Sequence, residues 1–195
     1  MRLLLCTLAL AAVVGTGLAQ ALPNANPANR LANLPIDDYA YDHATDCKKH
    51  PQPGTVALQH WLEQNAAGVS WGIMRCEKWG KNSASLHAEG RALDWHLDSR
   101  SRRQARAANR LIDLLLATDR RGNEHALARR MGIQEIIWNC HSWWSGSDGM
   151  GKYSQCFNEK GKRLRNVDFT QAHKDHIHFG LSWRGAKKRT TFWSH

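Results

Sequence analysis

Two short stretches of this 195-residue chain carry side chains able to converge on one metal ion: S-L-H-A-E-G-R-A-L-D at 85–94 and H-K-D-H-I-H at 173–178. Imidazole nitrogen and carboxylate oxygen suit a borderline divalent ion such as Zn2+, and a hydrolytic site joins three such ligands to a fourth position open to water. His87, Asp94 and His178 are the expected ligands. Gly90 and the small residues Ala88 and Ala92 suit a tight loop running into R-A-L-D-W-H-L, which reads as a strand. A ligand in the loop and one on the strand can then face the same point. His176 and His178 are two residues apart, so on an extended I-H-F-G-L they project to one face, one holding the metal and the other reaching a substrate. Three histidines in six residues, with an aspartate among them, fit poorly with a solvated face. By contrast His43, His50, His60, His125, His141 and His195 stand alone and read as surface or hydrogen-bonded residues.

The elements that must position these residues follow from the patterning. A helix is expected over 55–66, with Thr55 as its N-cap, and a strand over 69–75. The first motif leads into a strand over 91–97. A long helix over 101–118 repeats Ala105, Ala108, Leu111, Ile112 and Leu115 at helical spacing, with Arg and Asn between them. A short helix (123–130), a strand (132–138), an irregular Trp- and Gly-rich excursion (140–172) and a strand carrying the second motif complete the order. Strands with helices segregated to one side imply an α+β domain on a mainly antiparallel sheet, the helices covering one face. Trp95 and Trp138 lie in strand-like runs and are expected in the core. Trp143 and Trp144 are expected in a loop, where aromatic rings could stack on sugar faces, pack against a peptide or simply bury the loop.

The pattern S-x-H-x-x-G-x-A-x-D, followed far downstream by H-x-D-H-x-H, resembles the zinc D-alanyl-D-alanine carboxypeptidases and endopeptidases of the hedgehog/DD-peptidase fold. G-I-Q-E-I-I-W-N and H-I-H-F-G-L-S are similar to the extensin-like branch of that superfamily, and the likeness spans roughly residues 69–182. It implies zinc on His87, Asp94 and His178, with Asp175 as general base and His176 beside the reacting water or carbonyl. Arg75, in G-I-M-R-C, matches the arginine that holds a substrate carbonyl or carboxylate, although Cys76 follows it where the family has Ser or Thr. The residues themselves leave the acid/base open. On a uniformly extended 173–178, Asp175 would face away from His176 and His178, so spacing favours His176, whereas the resemblance implies Asp175 and a bend at the start of the strand. Ser85 and His173 are expected to support the site by hydrogen bonding, and His96 and Asp98 lie too far along the strand to replace Asp94.

The rest of the chain bears on where such a protein works. Met1-Arg2, the apolar run from Leu3 to Ala19 and Ala19-Gln20-Ala21 have the form of a cleavable signal peptide over 1–21, leaving no membrane span after cleavage. Residues 22–54 hold all five prolines and read as a linker or irregular wrap, and 55–195 as the metallopeptidase-like domain. Export accounts for the cysteines left after Cys6: Cys47, Cys76, Cys140 and Cys156 permit three pairings, and proximity favours Cys140 with Cys156, leaving Cys47 with Cys76. The formal charge of +10 draws an exported protein to peptidoglycan or another anionic wall polymer, with basic runs at 101–106, 160–165 and 186–189. No specific nucleic-acid site is expected, and the oligomeric state is open. The expected setting is secreted, periplasmic or wall-associated. A zinc-containing wall-binding module without chemistry and a secreted zinc nuclease are the competing classes.

Overall fold

A computed structural model describes residues 27–195, so the expected signal segment lies outside the described residues. In chain order the elements are α1 (Pro27–Arg30), α2 (Pro53–Asn65), β1 (Val69–Gly72), β2 (Lys78–Gly80), β3 (Ser83–Ala84) and a 3-10 turn (Leu86–Glu89). Then come β4 (Ala92–His96), α3 (Arg102–Leu116), α4 (Ala126–Met131), β5 (Ile133–Trp138) and β6 (His141–Trp144). The chain ends with β7 (Gly151–Lys152), β8 (His176–Leu181), α5 (Trp183–Ala186) and α6 (Thr191–Ser194). Six strands form one sheet in the order β1-β4-β8-β5-β6-β7, every neighbouring pair antiparallel, and β2 and β3 form a separate hairpin. The protein is therefore an α+β fold.

Alternation along the central strands divides the sheet into two unlike faces. Leu93 and Trp95 on β4, Ile136 on β5, Trp143 on β6, and Ile177 and Phe179 on β8 share one buried cluster with Leu58 and Leu62 of α2, Leu111, Ile112 and Leu115 of α3, and Leu127 and Met131 of α4. That face is the main core, and helices cover it. The other face carries Asp94 and His96 on β4, paired directly with His178 and His176 on β8. Ligating residue types thus sit on the same strands as the core, one position out of phase. A lesser cluster of Ala44, Ala84, Leu86, Ala88 and Ala92 underlies the 3-10 turn on this second side.

α3 keeps the expected apolar stripe: Ala108, Leu111, Ile112 and Leu115 are buried, and the Ser101 hydroxyl caps the helix by accepting from the Gln104 amide. α2 begins two residues before the expected start. Gln52 is the cap and Pro53 the first helical residue, a position where the missing N–H is no loss and the fixed φ is already helical. Thr55 is not the cap; its hydroxyl donates to the Gly90 carbonyl at 2.8 Å, fastening α2 to the end of the 3-10 turn. The excursion at 140–172 is also more ordered than expected. H-S-W-W pairs with β5 as β6, so the two tryptophans are strand residues and not loop residues: Trp143 lies in the core and Trp144 on the opposite face, where it lines a cavity.

Both favoured disulfides form, Cys47–Cys76 and Cys140–Cys156, each with Cα atoms 5.5 Å apart. Residues 31–52 cross the domain with little regular structure and are held by polar ties: Arg91 donates to the Asp42 carbonyl at 2.9 Å, Arg129 to the Asp37 carbonyl at 2.8 Å, and the Trp183 amide to the Asp42 carboxylate at 2.7 Å. Beneath them the fully buried Arg91 pairs with Glu89 at 2.7 Å and also donates to the Leu181 carbonyl, so neither charge is left uncompensated.

Candidate metal centre

His87 reaches the site from the 3-10 turn, whose start is capped by the Ser85 hydroxyl accepting from the His87 amide. The turn ends at Gly90, in the left-handed region at φ 69°, where a Cβ would also meet the backbone of His50 and Pro51 within 2.8 Å. The His87 Nδ1–H donates to the Ile73 carbonyl at 2.7 Å, which leaves Nε2 facing inward. From β8, the His178 Nε2–H donates to the Glu135 carboxylate at 2.7 Å, which leaves Nδ1 facing inward. Carbonyl and carboxylate oxygens only accept, so each of these outer nitrogens carries a proton, and the inner nitrogens are the ones free to ligate once they are deprotonated.

The inward atoms form a regular triangle. His87 Nε2, His178 Nδ1 and Asp94 Oδ1 lie 3.1 Å from one another on every side. All three residues are buried and their ligand atoms could hold one metal ion. A tetrahedral zinc ion with ligand bonds of about 2.0–2.1 Å keeps its donor atoms about 3.3 Å apart, close to these edges. Two imidazole nitrogens and a carboxylate oxygen are a donor set for such an ion, with the opposite nitrogen of each ring held as ligating histidines are held elsewhere. Arg75 donates to the other Asp94 oxygen at 3.0 Å and to Glu77 at 2.7 Å.

Beside the triangle stands a carboxylate–imidazole pair. Asp175, just ahead of β8, accepts from His176 Nδ1 at 2.7 Å and from the Thr170 hydroxyl. His176 Nε2 lies 3.6 Å from Asp94 Oδ1. Burial holds the His176 imidazole below its ordinary pKa against the opposing pull of Asp94 and Asp175. His173 sits against this pair with φ 50° and its ring centroid 4.7 Å from that of His176. Burial, followed by the neighbouring His178 and His176, pushes its pKa down to about 3, so the ring is neutral. His96 stacks on Trp71 at 4.2 Å and bonds the Asp175 carbonyl through Nδ1, and Asp98 pairs with Arg100 away from the triangle.

Glu135 is the residue at the candidate centre that the motifs did not reveal. Its signal was present as a lone acid within the apolar strand I-Q-E-I-I-W, which is buried along its whole length. Gly180 makes room for it: a Cβ there would meet Glu135 Cγ and Leu86 Cδ1, each at 2.5 Å. His43, expected as an isolated surface residue, is exposed but lines a cavity that His87, His178 and Glu135 also line.

A family model described as VldE, C-terminal domain, matches residues 47–164, more than half of the chain. No curated protein and no solved structure matches it. The matched stretch includes Arg75, His87, Asp94, Glu135 and all four paired cysteines, while Asp175, His176 and His178 follow it.

Proposed function

The chain belongs to the VldE C-terminal domain family, and we propose that this member is a secreted zinc metallopeptidase that hydrolyses amide bonds of peptidoglycan stem peptides, as D-Ala-D-Ala carboxypeptidases and endopeptidases of hedgehog/DD-peptidase-like fold do. The observation that carries the proposal is the 3.1 Å triangle of two imidazole nitrogens and a carboxylate oxygen, beside a carboxylate–imidazole pair. A metal site alone would serve a binding module; the adjoining proton-transfer pair favours chemistry.

His87, Asp94 and His178 would hold the ion. A zinc ion so held supplies a water of near-neutral pKa and polarises the scissile carbonyl. His176 takes the proton of the attacking water at Nε2, which faces the triangle, and Asp175 holds the Nδ1 proton and stabilises the imidazolium formed. The hydroxyl adds to the acyl carbon, the C–N bond breaks, and His176 returns the proton to the leaving amine. Both sequence-based candidates then have a role, His176 as acid/base and Asp175 as the residue that orients it. Arg75, beside Asp94, would hold the carbonyl oxygen.

The charge distribution supports a peptide over a nucleic acid. The basic runs project Arg102, Arg103, Arg106, Lys162, Arg163, Arg165, Lys187, Lys188 and Arg189 to solvent. The cavities beside the triangle have Glu77, Glu135 and Asp94 in their walls. An anionic wall polymer would meet the basic exterior, whereas among the described residues the cavity walls offer a nucleic-acid backbone no lysine or arginine beyond Arg75. Two disulfides fit an oxidising, extracytoplasmic compartment, and no helix among the described residues is long and apolar enough to cross a membrane.

The test is zinc content measured together with release of free amines from purified peptidoglycan. His178→Ala is expected to lose both, and His176→Ala to keep zinc and lose activity. Wild-type protein that holds zinc and releases no amine from any stem peptide would sink the reading.

A further inference from the structure

Two cavities flank the triangle. One, of about 450 Å3, lies on the side of His87, His178 and Glu135 and is bounded outward by Tyr41, His43 and Trp144. The other, of about 650 Å3, lies on the side of Asp94 and His176 and is bounded by Trp71, Gln155 and Gln171. Arg75, Glu77, Trp79, Tyr153 and His173 line both, so the two meet across the candidate metal centre. The result is a cleft with room on each side of the reacting position. Exposed aromatic surface stands along it, from Tyr41 at one end to Trp71 at the other, with Trp79, 71% exposed, between them.

An enzyme that removes a terminal residue has to recognise the free carboxylate next to the scissile amide, and a cation with open hydrogen-bonding capacity does this. Among the described residues lining the two cavities, Arg75 is the sole arginine or lysine. Its Nη1 is engaged by Asp94 at 3.0 Å and its Nε by Glu77 at 2.7 Å. With a divalent ion on the triangle its charge is matched by Asp94 and Glu135, and that of Arg75 by Glu77, so a further carboxylate finds no net positive charge to hold it.

Building on the metallopeptidase reading, we propose that the cleft takes an internal amide, with uncharged peptide extending on both sides as in a cross-linked stem peptide, and that Glu77 is the specificity-determining residue that excludes a free carboxylate by neutralising Arg75. The chemistry is the hydrolysis described above. Only the length and charge of the accepted chain are restricted. Glu77 is partly exposed on the stretch between β1 and β2, so replacing it leaves the core untouched.

The experiment uses the zinc-loaded full chain and three synthetic stem peptides that share one scissile amide: one extended by several uncharged residues past it, one ending in a free carboxylate one residue past it, and one with that carboxylate amidated. KM and kcat are measured for the wild type and for Glu77→Gln. The extended peptide is expected to be cut at least about tenfold faster in kcat/KM than the free-carboxylate peptide, and amidation should recover most of the difference. Glu77→Gln should lower KM for the free-carboxylate peptide by about three- to tenfold and leave the other two within about twofold. Wild-type preference for the free-carboxylate peptide overturns this inference and leaves the metallopeptidase reading standing. An unchanged discrimination in Glu77→Gln removes Glu77 from it. Release of no amine from any of the three overturns the metallopeptidase reading, and this inference with it.

Discussion

Glu135 and His178 form a contact on which the metal site depends, because the carboxylate fixes which nitrogen of the ring faces Asp94. Replacing it by Gln keeps the shape and removes the charge that makes the imidazole a stronger donor. Zinc affinity in Glu135→Gln is expected to fall by about 10- to 100-fold, read by competition with a chelator. The same contact governs pH dependence. In the metal-free protein burial opposes the imidazolium at His178, but hydrogen bonds to Asp94 and Glu135 prevail and raise its pKa to about 9. A metal ion must displace that proton. Zinc affinity should therefore weaken as pH falls, by about tenfold per pH unit below about pH 9, and level off above it. The linked stability has the sign of a raised pKa. In the metal-free protein the contribution is full below the unfolded value near 6.5 and is lost as pH rises through about 9. Denaturant midpoints across that window should fall without zinc and stay flatter with it. The candidate metal trio was legible in the sequence because two motifs each carried their own spacing. Glu135 was not, since a single acid in an apolar strand has no partner until β5 and β8 are paired.

At the scale of elements, β8 has alternate positions serving opposite purposes, with Ile177, Phe179 and Leu181 in the core and His176, His178 and Gly180 on the site face. Gly180 is needed for its missing side chain. In Gly180→Ala the new methyl would press on Glu135 and on Leu86 beneath the His87 turn, loosening two of the three ligands at once. Chemical denaturation should show a loss of about 1–3 kcal/mol, with reduced zinc affinity in the molecules that remain folded. Period-2 and period-3.6 patterns made β4, β8 and α3 legible, because each sets apolar side chains on one face and polar or small ones on the other, even though the two strands are buried on both faces. They failed at 140–172. β6 is only four residues long, both its tryptophans look alike in sequence, and only pairing with β5 sends Trp143 inward and Trp144 outward. The start of α2 was misplaced for a local reason. Thr55 looked like a cap, but its hydroxyl is drawn to the Gly90 carbonyl, a contact between residues 35 apart in sequence.

At the scale of the molecule the basic runs lie exposed on the exterior while Glu77, Glu135 and Asp94 line the cleft, so attraction to a polymer and reaction at the centre should respond differently to salt. Raising ionic strength from about 0.05 to about 0.5 M is expected to weaken retention on anionic wall polymer severalfold, since charges at the surface are screened beyond about a Debye length. The kcat/KM for a short uncharged peptide should change by less than about twofold over the same range. Sedimentation with insoluble wall and a soluble peptide assay separate the two. The triangle has a further consequence, in time. His87 and His178 are separated by 91 residues, and His178 sits on the last strand of the sheet. A chain still lacking its C-terminal end can present His87 and Asp94 but has no third donor, so the high-affinity site comes into being only when β8 slots between β4 and β5. Metal uptake at this site would thus be one of the last events in the making of the chain, and the ion would be drawn from whichever surroundings the chain occupies when that strand arrives.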